Sequence, residues 1–325
     1  MKAKQEKVVA LTTVGSNSLN YYLGKYLWKI VRILLMICLA FVVIYPLVYM
    51  CSMAFRPAAQ VYDPQIIWVP DSLTFANIKQ TVEVLDYFQV LGNTLFLVVG
   101  STVIQVMMCS AIGYGFGRFK LVGQKLLMVV LLLSIVVPAQ LISIPQYHNF
   151  LSLDFFGIIK LITGSPSPIN ILDKPWSFFV LALFGQGIRS GIFIMIFRQA
   201  YKNMPTELDS AAMVDGASIF TTYLRIMLPN AATVSLIVFL FSFVWYWNDY
   251  YLTAIYLGGF KTLSVALANI RPAFEGVMGK DAFDAYQMVV IEQSACLLLI
   301  LPVLLMYIFT QRYFTESIEK TGIVG

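Results

Sequence analysis

Six long apolar runs leave this chain very few folds. Residues 33–55, 93–117, 126–146, 178–197, 231–257 and 288–311 are each predominantly apolar. Each is about as long as the ~20 residues a helix needs to cross a bilayer. In hydrocarbon every backbone N–H and C=O must be satisfied within its own segment, so helices are expected throughout. Composition agrees: 59% of the 325 residues are hydrophobic and 12% charged, against roughly 25% charged in soluble domains. A soluble fold this apolar would expose large greasy patches. The expectation is an all-α, polytopic membrane protein with six transmembrane helices.

Basic residues orient the spans. Lys2, Lys4, Lys7, Lys25, Lys29 and Arg32 lead into the first run, and Arg118, Lys120 and Lys125 follow the second with no acid among them. These stretches belong in the cytoplasm, together with residues 205–229, so both termini are expected there. Segments 56–92, 147–177 and 258–287 then lie outside. The acids Asp63, Asp71, Glu83, Asp86, Asp154, Asp173, Glu275, Asp281 and Asp284 balance the bases in them. Residues 1–29 are polar and basic, without a cleavage signal behind a short apolar core, so the first run is read as a retained span. The net charge of +5 points to no nucleic-acid partner.

Little in the chain suggests chemistry. Cys38, Cys51, Cys109 and Cys296 lie in apolar runs without C-x-x-C spacing, so they read as small buried hydrophobes. The one histidine, His148, has no obvious partner and reads as structural. No G-x-x-x-x-G-K-[ST] is present, so the chain should not hydrolyse ATP. Outside the spans, Phe75, Ile78, Val82, Leu85 and Phe88 recur at helical spacing behind Thr74, predicting an amphipathic helix on the outer face. Residues 164–175, with Ser165-Pro166-Ser167-Pro168, read as an irregular loop.

One polar stretch breaks the apolar pattern. Residues 205–229 read PTELDSAAMVDGASIFTTYLRIMLP. Thr206 can cap a helix, with Asp209 as capping-box partner. Ala211, Ala212 and Met213 favour helix, Gly216 lets the backbone bend, and a second run over 219–227 stops at Pro229. Two short helices joined by a glycine, held between spans and lacking a core, are suited to being gripped by another protein.

This stretch resembles the "EAA" loop of membrane subunits of binding-protein-dependent ABC importers. Ser210-Ala211-Ala212, Gly216 and Ile226-x-Leu228-Pro229 keep every spacing of that pattern, with Ser210 where the family usually has Glu. The likeness extends to Asn93-Thr94, to 113–119 (GYGFGRF), to Pro138 and Pro145, and to Phe197-Arg198-Gln199. It continues through Trp247-Asn248-Asp249 and 311–314 (QRYF), and the tail 321–325 (TGIVG) is similar to that of the maltose-type, oligosaccharide-importing branch.

The resemblance implies a permease of a prokaryotic cell membrane, partnered by a second homologous permease, two cytoplasmic ATPase subunits and an extracellular solute-binding protein. ATP and Mg would be bound by the ATPases and no cofactor by this chain. It also divides the chain. Residues 1–87 form the tail, first span and first outer segment. Residues 88–312 form the permease core, and 313–325 a cytoplasmic tail.

Coupling to the ATPases falls on Glu207, Asp209, Ser210, Ala211, Ala212, Asp215, Gly216 and Pro229. Glu207 or Asp209 is expected to replace the missing loop Glu; alternatively, Ala211, Ala212 and Gly216 hold the socket by packing alone. Candidate substrate contacts are Trp245, Asn248 and Asp249, through aromatic stacking and polar groups. The alternative for these three is an interfacial aromatic belt with structural hydrogen bonds. Arg189 stands among glycines in the fourth run and is expected to snorkel to the outer interface; the alternative is an unwound pathway segment. Residues 271–284 are candidates to touch the binding protein.

A rival class is an ion-coupled secondary transporter, for which Asp249 and Glu292 would be the intramembrane carboxylates. The reading of the loop predicts that Gly216→Leu leaves membrane insertion intact while abolishing coupled uptake; uptake at the wild-type rate in a cell-based assay would contradict it.

Overall fold

The computed structural model describes residues 2–66, 68–154, 157–164, 169–279 and 285–322. The Ser-Pro repeat at 165–168, Asp281, Asp284 and the tail's last three residues lie outside the described residues. Among those described, every regular element is helical, with one isolated bridge between Leu153 and Ile169.

Three helices are long and apolar enough to cross a bilayer unbroken: α1 (Lys2–Ala54, apolar over Gly24–Ala54), α3 (Tyr87–Arg118) and α16 (Ala285–Gly322, apolar over Ala285–Arg312). Six unbroken spans are not what the described residues form. The third run is split into α4 (Gln124–Val136) and α5 (Ala139–Leu151), bent by 101°. At the break Val137 is extended (φ −68°, ψ 120°), because the following Pro138 disfavours helical backbone in the residue before it, and Pro138 itself donates no hydrogen bond. The fourth run becomes α7 (Trp176–Leu183) and α8 (Ser190–Asn203), with 184–189 irregular between them. The fifth ends as a straight helix at α12 (Ala232–Asn248), and α13 (Tyr251–Tyr256) follows. If each bent pair counts as one span, Ile219–Asn230 with Ala232–Asn248 at 78° included, the total reaches five.

Helix α3 is the axis of the fold. It packs on α7, α8 and α12, and buries Val90, Leu97, Val98 and Cys109. The α3–α8 contact is a backbone approach. A Cβ on Gly113 would lie 2.5 Å from the Phe197 Cβ and 2.9 Å from the Arg198 backbone nitrogen, and one on Gly117 would lie 3.1 Å from the Arg198 carbonyl oxygen. Small residues four apart let two helices close without the gap a side chain would hold open. Gly115, between the two, faces open space.

Helix α1 stands apart. It packs on α16, and among its described side chains, from Gly24 on, only Met50, Met53 and Ala54 at its C-terminal end are buried. Cys38 and Cys51 on it are exposed, so only Cys109 is fully buried as expected. The chain beyond α1 is tied down by a buried Arg56, which donates to the Ile66 carbonyl (3.2 Å) and the Ser52 hydroxyl (3.0 Å). Asn77 donates to the Ala54 and Arg56 carbonyls (3.1 and 2.8 Å). Asn77 opens the buried face of α2 (Ala76–Leu85), which is Asn77, Thr81 and Leu85. A helix therefore forms where the periodicity predicts one, but Phe75 and Phe88, read as part of its apolar stripe, are exposed, and Phe88 already belongs to α3. Polar partners on the neighbouring loop decided the face.

Substitution at the tight contact should be costly. Gly113→Ala is expected to destabilise the purified protein by about 1–3 kcal/mol, and Gly115→Ala by much less, read as thermal midpoints in detergent.

Candidate functional site

The polar stretch folds as α9 (Glu207–Val214), α10 (Ile219–Thr222), a π-helical turn (Tyr223–Met227) and α11 (Leu228–Asn230), leading into α12. The capping box does not form. Thr206 has helical backbone (φ −72°, ψ −20°) and its side chain makes no capping bond, whereas a capping residue is usually extended. Asp209 has turned to other partners. Its carboxylate accepts a hydrogen bond from the Tyr114 hydroxyl (3.0 Å) and lies 3.0 Å from Arg118 Nε. The latter is an ion pair by distance, the Nε–H not being aligned along it as a hydrogen bond. Arg118 Nη2 donates to the Pro205 carbonyl (2.9 Å). The Arg118 and Asp209 side chains are only 6% and 15% exposed. A charge pair shielded from water holds far better than a carboxylate capping an exposed helix end.

Around this pair lies an aromatic base. Tyr114 packs on Phe119, Tyr201 and Tyr223 at centroid distances of 5.4, 5.4 and 5.3 Å. Ser110 of α3 shares a hydrogen bond with Tyr201 of α8 (2.6 Å) and accepts one from Tyr223 of the loop (3.0 Å). Ala212, Thr222 and Met227 complete the buried side. The loop is thus fastened to the C-terminal part of α3, where Ser110 also holds Tyr201 of α8.

Its other side is bare. Glu207, Ser210, Ala211, Met213, Asp215, Gly216 and Pro229 are exposed. Gly216 has φ +76°; its N–H donates to the Met213 carbonyl (3.0 Å), and that of Ala217 to the Ala212 carbonyl (2.9 Å). This is the paired bonding of a left-handed helix stop, which glycine adopts at least cost. Ser218 then caps the next helix, accepting from the Thr221 N–H (3.2 Å). The tip on either side of Gly216 is apolar: Val214 is 88% exposed and Phe220 69%, with Met213 and Ile219 beside them. Sequence reasoning passed over Val214, Ile219, Phe220 and the Ser218 cap. The available signal was apolar residues flanking a glycine in a polar loop.

The candidate substrate residues do not form one cluster. Trp245 and Asn248 are exposed on one face of α12, and the Asn248 amide donates to its own helix at Val244 (2.8 Å). Asp249 is committed elsewhere: one carboxylate oxygen accepts from both the N–H and the hydroxyl of Thr253 (2.8 Å each), capping α13. Trp247 is buried and donates to the Leu299 carbonyl (3.2 Å). Arg189 is backbone-strained (φ +60°) in the break before α8, with its guanidinium carbon 4.7 Å from the Trp245 ring centroid. Its guanidinium lies over this ring. Glu292 pairs with Arg271 at 3.1 Å.

The pattern of binding-protein-dependent transport system inner membrane components matches residues 109–319. The maltodextrin transport system permease protein MdxG of Bacillus subtilis is 25% identical over 94% of this chain and 100% of its own length. The probable starch degradation products transport system permease protein AmyC of Thermoanaerobacterium thermosulfurigenes is 26% identical over 77% of this chain and 81% of its own. A solved structure of a bacterial ABC transporter involved in the import of the acidic polysaccharide alginate superposes with a TM-score of 0.69. It covers 89% of this chain and 96% of that one at 18% identity, a likeness of fold.

The Asp209–Arg118 pair is testable on its own. Asp209→Asn and Arg118→Gln should each cost about 1–3 kcal/mol, below the range for fully buried pairs because some water reaches both groups. The double substitution should cost clearly less than the sum; additive losses in thermal unfolding would show the contact to be idle.

Proposed function

We propose that this chain, which belongs to the family of binding-protein-dependent transport system inner membrane components, is the pathway-forming permease subunit of an ATP-driven importer for oligosaccharides. The names of its relatives carry the carbohydrate assignment: maltodextrin, starch degradation products, diacetylchitobiose and arabinooligosaccharides. Residues 205–229 are the element that the partner ATPases grip. The observation that carries this reading is the two-sided build of the loop. An apolar, exposed tip (Met213, Val214, Ile219, Phe220) stands on a base bonded to α3, which is itself bonded to α8 through Ser110 and Tyr201.

Exposed apolar clusters of this kind mark protein interfaces. The bonded base supplies the mechanical requirement. A tip moved by closing ATPases shifts α3 and α8 only if the joint between them does not give. Glu207 is the acid we assign to the charge contact left open by Ser210, because Asp209 is occupied inside the chain. Ala211, Gly216 and Pro229 shape the seat, and Asp215 borders it. ATP and a loaded solute-binding protein then each favour one state of the spans, and their coupling is reciprocal. The second homologous permease completes the pathway, and both termini and the loop face the cytoplasm. Trp245 and Asn248 contribute the pathway-facing groups, while Asp249 stabilises the turn into α13.

The ion-coupled alternative loses its two carboxylates to other work. Asp249 caps a helix and Glu292 is paired with Arg271. In vesicles containing the assembled complex, uptake should require ATP and binding protein and be blocked by vanadate. Glu207→Ala should weaken ATPase assembly measurably. Uptake driven by a pH gradient alone would overturn the importer reading.

A further inference from the structure

Arg189 occupies an unusual place for a cation. From it to Lys202, at the cytoplasmic end of α8, is 13 residues of helix, or about 20 Å at 1.5 Å per residue. The hydrocarbon core is about 30 Å thick, so Arg189 lies at bilayer depth. Its backbone is fixed there. The preceding carbonyl, of Ile188, accepts a hydrogen bond from Gln105 Nε2 of α3 (2.7 Å), and Gln105 Oε1 in turn accepts from Ser242 of α12 (3.3 Å). Gln105 and Ser242 are fully buried. A charge at this depth faces water or protein and is normally compensated. Neither of the two ion pairs among the described residues includes Arg189. Asp249, one helical turn beyond Trp245, has its carboxylate on Thr253.

The surroundings of this cation have a definite chemistry. Trp245 lies under the guanidinium and is 43% exposed. Phe241, Val244, Trp245 and Asn248 recur at i, i+3, i+4 and i+7 along the open face of α12. Together these side chains present an aromatic face, an amide and a fork of N–H donors.

We propose that Arg189 and Trp245 form a solute-contact site in the translocation pathway that selects saccharides bearing a carboxylate, of the uronate type. This rests on the importer reading above. The sugar ring stacks beside the indole and its carboxylate takes the guanidinium in a two-point contact, the geometry arginine matches best. A neutral sugar would leave the cation uncompensated. An acidic side chain of the second permease is the competing occupant.

The test uses the complete importer with Asn248→Cys as a reporter, and Cys38, Cys51 and Cys296 replaced by alanine; buried Cys109 is retained. Rates of modification by an anionic and a cationic methanethiosulfonate are compared. The reporter should react with both, and the anionic-to-cationic ratio should fall about tenfold with Arg189→Gln and persist with Arg189→Lys. A reporter that reacts with neither reagent, or a ratio indifferent to Arg189, overturns the proposal, since the face would then be covered or its charge already neutralised. Digalacturonate should slow the modification and maltose should not; equal protection, or none from either, removes the uronate assignment. These ratios do not depend on the energy source, so a failure of ATP-driven uptake would sink the importer reading separately.

Discussion

The ion pair between Asp209 and Arg118 ties the polar loop to the helix on which the rest of the fold packs. Arg118 ends α3, the helix against which α7, α8 and α12 pack, and Asp209 lies in the first turn of α9. Tyr114 binds the same carboxylate, and the Ser110–Tyr201–Tyr223 bonds add a second fastening a turn further in. Without these contacts the loop would be two short helices with no core, free to pivot on its glycine. With them it is a bonded extension of α3, and under the proposed function a push on its tip would be carried to that helix and to the spans packed on it.

The interior follows from the same scarcity of water. Where the fourth run unwinds, Gln105 from α3 takes up the Ile188 carbonyl, and Ser242 satisfies Gln105 in turn. A broken helix at membrane depth persists only when neighbouring groups re-satisfy its backbone. The close contact at Gly113 joins α3, the loop's anchor helix, to α8. The helices are therefore held less by greasy packing, which lipid offers equally, than by close backbone approach and satisfied polar groups.

How much of this was legible depends on the range of the interaction. Gly216 as a helix stop was readable, because a left-handed residue between two helical runs is a local requirement. The assignment of Asp209 to a capping box was reasonable locally and lost to a partner 91 positions earlier in the chain. Trp245, Trp247 and Asp249 look equivalent in sequence, yet one is open, one is core and one is a cap, because the two tryptophans lie on opposite faces of α12 and the helix ends before Asp249. The six apolar runs were all visible; that three of them would bend or break was hinted at only by Pro138 and by the glycines around Arg189.

By itself the sequence determined that the chain is helical, apolar enough for a membrane, and interrupted by one polar loop of defined spacing. Those properties follow from hydrophobicity and backbone satisfaction, which act segment by segment. The tertiary structure decided which carboxylates are taken, which aromatic faces are open, and which ring lies under the Arg189 guanidinium. These are matters of pairing between distant segments, and a buried charge takes whichever partner the fold brings within about 3 Å.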